Sequence, residues 1–168
     1  MTRGLPHTPQ NGCVITLGDL TDPRVLHLLE EHLADMYAES PPESVHALDV
    51  SGLADERVTF WVATDGDEVL GCVALKQLDP EHAELKSMRT SNAARGRGIG
   101  KLLMAHVLDE AQRRGYRRMS LETGTQQFFL PARTLYVANG FVDCGPFADY
   151  VLDPFSVFMT RELAAPAA

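Results

Sequence analysis

Residues 95–101 of this chain combine glycines and basic side chains in a way that suits a bound anion. The segment consists of Arg95, Gly96, Arg97, Gly98, Ile99, Gly100 and Lys101. Glycine lets the backbone adopt positive φ and approach a ligand closely, and a helix that starts here presents unpaired amides with partial positive charge. Five basic residues and no acidic residue lie between positions 85 and 108, although the whole chain has a net charge of −8. We therefore expect the segment to bind phosphate through backbone amides and arginine side chains.

Two common phosphate motifs do not match this spacing. The dinucleotide-binding fingerprint needs glycines at its first, third and sixth positions, whereas Gly96, Gly98 and Gly100 follow one another at every second residue. The phosphate loop of nucleotide triphosphatases needs a hydroxyl residue after Gly-Lys, and Leu102 occupies that position. The remaining alternative is an ordinary connection between a strand and a helix, with solvated arginines.

Hydrophobic periodicity predicts that the glycine-rich segment joins a strand to a helix within a single mixed α/β domain. Apolar runs predict strands at 13–17, 58–63, 69–78, 83–90, 118–123 and 156–161. Helical spacing predicts helices at 22–40, 99–115 and 131–139, and it leaves 44–53 ambiguous between a short helix and a loop. Cys144 is expected in a turn, because Gly145 and Pro146 follow it. A chain of 168 residues is long enough for one core and too short for two ordinary domains.

The glycine-rich segment matches a known family in type and spacing. Arg95, Gly98 and Gly100 resemble the Gln/Arg-x-x-Gly-x-Gly/Ala signature of the Gcn5-related N-acetyltransferases. Residues 84–90 are similar to the fourth strand of that family and residues 99–115 to its third helix. Further matches are the family's "LY…GF" element at Leu135, Tyr136, Gly140 and Phe141, and a pattern at 121–124 and 144–159 that resembles a bacterial subfamily of small, mostly uncharacterised acetyltransferases.

The resemblance covers roughly residues 13–162 and implies a fold. It implies a single α/β domain at 12–163, in which a mixed central sheet has splayed parallel strands and is flanked by helices. A flexible segment at 1–11 and a frayed tail at 164–168 are expected on either side of that domain.

The same resemblance implies acetyl-CoA as co-substrate, without a metal. The pyrophosphate is expected to meet the backbone amides of the segment from Arg95 to Lys101. The pantetheine arm is expected to pair with the backbone of the splayed strand near Met88, Arg89 and Thr90. That pairing involves backbone only, so it assigns no role to these three side chains.

The resemblance also implies catalytic residues. Tyr136 corresponds to the family's tyrosine acid, which protonates the departing thiolate. Glu84 corresponds to the glutamate base of the histone-acetylating branch, and Glu122, on the facing strand, is the reserve candidate. The period of two in a strand predicts that Glu84 and Met88 share one face. The plainer alternatives are a partly buried aromatic ring for Tyr136 and a surface carboxylate paired with a nearby base for Glu84.

The sequence departs from the family at one position. Many members have an asparagine seven residues before the tyrosine, where it contacts the pantetheine arm, and this chain has Phe129 there. Either one of the polar residues Thr125, Gln126 and Gln127 replaces that contact, or the contact is missing.

These observations together predict an acetyl-CoA-dependent N-acetyltransferase that acts on a primary amine of a small molecule, an amino acid or a peptide, by direct transfer in a ternary complex. A non-catalytic CoA-binding sensor or docking module is the alternative. Acceptor contacts are expected around 36–48 and 146–158, and none of these residues is assigned a role.

Composition limits which binding partners and which cellular location we expect for this protein. The net charge of −8 argues against general nucleic-acid binding, and no apolar run is long enough for a membrane span. The polar start of the chain lacks a signal-peptide pattern, which predicts a cytoplasmic protein. Cys13, Cys72 and Cys144 are too few and too widely spaced for a disulfide framework or a zinc site. Pairing of C-terminal strands in a homodimer is left open.

Overall fold

The computed structural model describes residues 12–164, which form one seven-stranded sheet with helices on both faces. The strands are β1 (Val14–Leu17), β2 (Val58–Asp65), β3 (Glu68–Asp79), β4 (His82–Thr90), β5 (Arg118–Gly124), β6 (Val142–Cys144) and β7 (Ser156–Glu162). The helices are α1 (Pro23–Glu39), α2 (Val50–Leu53), α3 (Ile99–Arg113) and α4 (Leu130–Ala138). The predicted flexible start at 1–11 and most of the predicted tail lie outside the described residues.

The strand order in the sheet is β1-β2-β3-β4-β5-β7-β6. Among the described strands, β4 and β5 are the only parallel neighbours, and every other pair is antiparallel. The crossover from β4 to β5 contains α3, as a parallel connection requires. The single-domain mixed α/β fold predicted from the sequence is therefore confirmed.

Alternate residues of β3 pack on opposite sides of the sheet. Val73 and Leu75 face the side of α3, whereas Cys72 and Ala74 face the side of α1 and α2. The α3 side is packed chiefly by Leu103, Met104, Val107, Met119, Leu121 and Phe141, and the α1 side by Val25, Leu28, Leu29, Leu53, Phe60 and Val62. Because the sheet is covered on both faces, its central strands are rich in buried apolar residues.

Helix ends follow local sequence signals. The Asp22 side chain accepts a hydrogen bond of 2.9 Å from the Arg24 amide, and Pro23 occupies the first helical position of α1. Gly115 and Gly140, which come just after α3 and α4, have φ of 86° in both cases. Such left-handed residues end helices at little cost when they are glycine.

The structure corrects one predicted element and resolves another. Cys144 does not lie in a turn but ends β6, which pairs with β7 through Cys144 and Phe158. The strand is only three residues long and Val142 is 62% exposed, so it has no apolar alternation by which the sequence could reveal it. The ambiguous stretch at 44–53 contains the short helix α2, which the Asp49 side chain caps.

Candidate active site

The two parallel strands at the centre of the sheet separate after a short paired stretch. Only three residue pairs join β4 to β5, and the last of them is Glu84 with Ser120. Beyond this point β4 continues to Thr90 and β5 to Gly124 without pairing to each other. The separation opens a wedge in the sheet and leaves the facing backbone groups of both strands available to a ligand.

A β-bulge in β4 lies at the start of the wedge. Lys86 pairs with Ala74 and Arg89 with Cys72, so two residues of β4 oppose the single residue of β3 between them. Ser87, within the bulge, has a φ of 52°, which is unusual for a residue other than glycine. The Cys72 thiol donates a hydrogen bond of 3.1 Å to the Ser87 carbonyl and supports this conformation.

The bulge corrects the predicted orientation of Met88. Because one extra residue shifts the alternation of β4, Lys86 and Arg89 point to the α1 side of the sheet with Glu84. Met88 packs instead against the core on the α3 side. Glu84 and Met88 therefore lie on opposite faces of β4, although both line the cleft described below.

The glycine-rich segment forms the turn into α3, as its sequence predicts. Gly96 and Gly98 have φ of 80° and 77°, and Gly98 is the residue before the helix. No side chain caps α3, and within residues 12–164 the amides of Gly98, Ile99, Gly100 and Lys101 have no hydrogen-bond partner. The amide of Arg97, by contrast, donates to the Ala94 carbonyl at 3.3 Å. The turn therefore presents a set of free donors at the positive end of a helix.

The basic side chains near the turn have different surroundings. Arg95 and Lys101 are exposed and make no ion pair with any described residue. Arg97 lies 3.5 Å from the Glu68 carboxylate and 3.9 Å from that of Asp65. These side chains leave the positive potential at the helix start available to an anion.

Arg89 is buried and holds α1 against β4. Its guanidinium donates to Asp35 Oδ2 at 2.6 Å and to Glu31 Oε1 at 2.5 Å, and its side chain is 4% exposed. The nitrogen that donates to Glu31, Nη2, also lies 3.4 Å from Asn92 Oδ1. This side chain stabilises the wall of the wedge, which leaves only its backbone for a ligand.

A cleft passes through the gap between β4 and β5. It is bounded by α1, β4, β5 and α4. Polar residues in its lining include Glu84, Lys86, Glu122 and Tyr136, and apolar ones include Met36, Met88, Phe129 and Ala132. Three sequence-predicted residues, Glu84, Met88 and Tyr136, therefore line one cavity together with the reserve candidate Glu122.

Tyr136 presents a protonated phenol to this cleft. Its ring is 7% exposed and packs edge-on against Phe141, with ring centroids 5.9 Å apart. Burial raises the pKa of Tyr136 well above its usual range, and the nearby carboxylate of Glu122 raises it further. No hydrogen bond of the Tyr136 hydroxyl is found within residues 12–164, so this donor is free to bind a ligand in the cleft.

Glu122 is the carboxylate with the most perturbed acidity in the cleft. Burial raises its pKa from 4.5 to about 7. The Ser156 hydroxyl and the ammonium of Lys86 oppose this rise in pKa, and the carboxylate of Glu84 adds to it. A carboxylate with this pKa exchanges protons readily near neutral pH.

Glu84 has closer partners than Glu122. The hydroxyl of Tyr150 donates to Glu84 Oε2 at 2.5 Å, and Lys86 Nζ lies 3.2 Å from the same oxygen. Lys86 Nζ also donates to the Tyr150 hydroxyl at 2.9 Å. Sequence patterns could not reveal this three-residue network, since Tyr150 lies 66 positions after Glu84.

The connection from β5 to α4 is tied to the rest of the protein. Gln126 Nε2 donates to the Glu39 carbonyl at 2.8 Å, and Thr125 Oγ1 donates to the Pro154 carbonyl at 3.2 Å. Phe129 is buried against Gly124, where a Cβ would approach its ring to 2.2 Å. Of the three polar residues considered as replacements for the missing asparagine, Thr125 and Gln126 thus have partners within the chain.

Comparison with known proteins assigns the family. The model of the acetyltransferase (GNAT) family matches residues 25–141. The chain belongs to the GNAT acetyltransferase family. It is 52% identical over 149 residues to the uncharacterised N-acetyltransferase YsnE of Bacillus subtilis, a match that covers 89% of this chain and 99% of the relative. It is also 49% identical to the uncharacterised N-acetyltransferase YedL of Escherichia coli, and that match covers 89% of this chain and 94% of the relative.

Solved structures agree with the family assignment. A provisionally named acyl-CoA N-acyltransferase of Klebsiella pneumoniae superposes with a TM-score of 0.76 at 29% identity, over 90% of this chain and 98% of that one. This GNAT protein is therefore an acyltransferase, and an acyl-CoA is the donor that its family and neighbours imply. The free amides at the start of α3 and the separated strands beside them suit such a ligand, since they offer donors for phosphate and backbone groups for its amide-containing arm.

Two further observations concern ligands and membranes. Among residues 12–164, no group of three or more His, Cys, Asp or Glu residues is arranged to hold a metal ion. Within the same range, no helix has the length and apolar character needed to cross a membrane.

Proposed function

We propose that this protein transfers an acetyl group from acetyl-CoA to a primary amine of a small molecule, an amino acid or a peptide, by direct transfer in a ternary complex. The observation that carries the proposal is the cleft between β4 and β5. Its lining includes Glu122, whose carboxyl group has a pKa of about 7, and Tyr136, whose phenol is protonated at neutral pH. Amide formation from an ammonium needs a proton acceptor and a proton donor at one site. Acetyl-CoA supplies the activated acetyl thioester.

The donor is held mainly by backbone. The amides of Gly98, Ile99, Gly100 and Lys101 receive the pyrophosphate, and the exposed side chains of Arg95 and Lys101 add positive charge. The backbone of Met88, Arg89 and Thr90, unpaired toward β5, receives the pantetheine arm. Amides already fixed in place by the fold bind the anion without an ordering cost.

Glu122 is the proton acceptor in this proposal, in place of Glu84, which the sequence favours. A general base works best when its pKa lies near the working pH, and burial gives Glu122 a pKa of about 7. Glu84 Oε2, in contrast, already accepts hydrogen bonds from Tyr150 and Lys86. Glu84 thus orders the acceptor side of the cleft, and Glu122 takes the proton of the incoming amine.

Tyr136 is the proton donor. Its raised pKa keeps the phenol protonated at neutral pH, and its hydroxyl has no partner among the described residues. The thiolate that leaves is therefore protonated by a group that lines the same cleft as Glu122.

The acceptor reaches the cleft between two loops. The hydroxyl of Ser44, in the α1–α2 loop, donates to Asp153 Oδ2 at 2.6 Å and joins that loop to the β6–β7 loop. One relative, which is 40% identical over 144 residues, is named an IAA acetyltransferase in Azospirillum brasilense.

Replacement of Tyr136 by phenylalanine tests the proposal. With acetyl-CoA and a panel of primary amines, we expect thiol release in wild type and about 100-fold lower turnover in Tyr136→Phe, at nearly unchanged CoA affinity. Tyr116→Phe is the matched control, because Tyr116 is also 7% exposed in the same core but does not line the cleft.

The outcomes separate the two functional hypotheses. A CoA-binding sensor would be stabilised by CoA in a thermal-shift assay, would release no thiol with any amine, and would not respond to Tyr136→Phe. Absence of both CoA binding and thiol release would contradict the proposed function altogether.

A further inference from the structure

A primary amine of the protein itself lies in the wall of the cleft. The chain has three lysines, Lys76, Lys86 and Lys101. Lys86 lines the cleft, and its side chain is 9% exposed. Lys76 lies opposite Glu84 on β3 and lines a neighbouring groove, whereas Lys101 lies in the first turn of α3. Neither of these two lines the cleft.

Lys86 is arranged as an acceptor amine would be. Glu84 and Lys86 point to the same side of β4, and Lys86 Nζ lies 3.2 Å from Glu84 Oε2. The Tyr150 hydroxyl, 2.9 Å from the same nitrogen, fixes its position further. An ammonium in contact with a carboxylate, in a cleft that also contains a phenol donor, has the groups that amide formation needs.

We propose that Lys86 is itself an acetyl acceptor, so that the protein acetylates its own Lys86 when acetyl-CoA is bound and no other amine occupies the cleft. This inference rests on the proposed function, because it requires acetyl-CoA in the cleft. It adds a modification site within the chain to that function.

The side chains of this protein and acetyl-CoA together account for every bond and proton of the reaction. The ammonium of Lys86 gives one proton to Glu84, and its nitrogen forms a bond to the acetyl carbon. The bond between that carbon and the sulfur of CoA breaks. The second proton of the nitrogen ends on the sulfur by way of the Tyr136 hydroxyl, and Glu84 releases the first proton to solvent. The products are N-acetylated Lys86 and free CoA, and no further reactant is needed.

Acetylation would alter the acceptor side of the cleft. The product amide has no positive charge and keeps one N–H donor, so Glu84 and Tyr150 can no longer both be satisfied by Lys86. The Tyr150 hydroxyl still donates to Glu84, but the carboxylate loses the positive charge beside it, and a buried charge without its counter-charge is costly. Acetylated Lys86 should therefore loosen the β6–β7 loop, which contains Tyr150.

Mass spectrometry of the whole protein tests the inference. The purified chain is incubated with acetyl-CoA without added amine, and the acetylated fraction of each lysine is measured by peptide mapping over time. We expect acetylation of Lys86 to exceed that of Lys76 and Lys101 at least about ten-fold, since the reacting groups are held together. Lys86→Arg, which keeps the positive charge, should remove this modification, and Lys76→Arg should leave it unchanged.

Two controls separate this inference from the proposed function. In Glu84→Gln, acetylation of Lys86 should slow at least about ten-fold, while CoA still stabilises the protein in a thermal-shift assay. Equal acetylation of all three lysines, or the same Lys86 rate in urea-unfolded protein, would overturn the inference. If wild type releases thiol with added amines but Lys86 stays unmodified, the inference fails and the proposed function stands. If CoA does not bind, both fail.

Discussion

Replacement of Glu122 by glutamine is expected to make the protein more stable at high pH. The raised pKa means that folded Glu122 binds its proton more tightly than unfolded Glu122 does. This tighter proton binding stabilises the folded protein. The stabilisation is fully present below pH 4.5 and is lost as the pH rises through about 7. A shift from 4.5 to about 7 corresponds to about 3 kcal/mol. Glutamine has the same shape but does not ionise, so the variant does not lose this stability at high pH.

Urea unfolding at pH 5 and at pH 8 measures this effect. The free energy of unfolding of Glu122→Gln, relative to wild type, should rise by up to about 3 kcal/mol between the two pH values. Glu162→Gln is the control, because the Glu162 side chain is 84% exposed and should give a difference that does not depend on pH. A flat difference for Glu122→Gln would refute the raised pKa on which this prediction rests.

The same variant tests catalysis independently of stability. If Glu122 is the base, kcat/KM for a primary amine should fall by about 100-fold or more in Glu122→Gln. The wild-type rate should rise with pH through an apparent pKa of about 7, and that inflection should be absent from the variant. An unchanged rate and profile in Glu122→Gln would assign the proton acceptor elsewhere in the cleft.

Two further substitutions test the donor site and the wall of the wedge. Gly98 has a φ of 77°, so Gly98→Ala should lower the free energy of unfolding by about 1 kcal/mol, and it should weaken CoA binding measured by calorimetry. The control is Gly66→Ala, at a φ of 58° in the β2–β3 turn, which should cost as much stability and leave CoA affinity unchanged. Arg89→Met leaves two carboxylates of α1 without their buried partner and should lower the free energy of unfolding by about 3 kcal/mol. Arg97→Met removes only long, half-exposed ion pairs and should lower the free energy of unfolding by less than about 1 kcal/mol. Equal losses of stability in the two arginine variants would contradict the buried role of Arg89.

The glycine-rich turn before α3 was predictable because its information is local. Glycines at positions 96 and 98, followed by helical periodicity, specify two left-handed residues and a helix start without reference to the rest of the chain. The same holds for the helix ends at Asp22 and Gly140. Long apolar strands such as β3 were also predictable, since their burial on both faces needs a continuous apolar run.

The acceptor side was less predictable because it depends on distant contacts. Serine is not a residue that signals a bulge, so strict alternation placed Met88 on the wrong face of β4. The partner of Glu84 and Lys86 is Tyr150, in a loop whose position depends on the packing of Phe147 and Phe158. The pKa of Glu122 likewise depends on burial by several elements, which no local pattern records.

The bulge at Ser87 places Met88 on the opposite side of β4 from Glu84 and Lys86. Before the bulge, Glu84 and Lys86 point toward the α1 side, where the two loops of the acceptor region meet. After it, Met88 packs on the α3 side, next to the helix whose amides suit the donor. Direct transfer requires donor and acceptor to enter from different directions and to meet without displacing each other. A regular strand would bring Met88 to the face of Glu84, so in the proposed reaction the extra residue in β4 separates the approaches of donor and acceptor, and the gap beside β5 joins them.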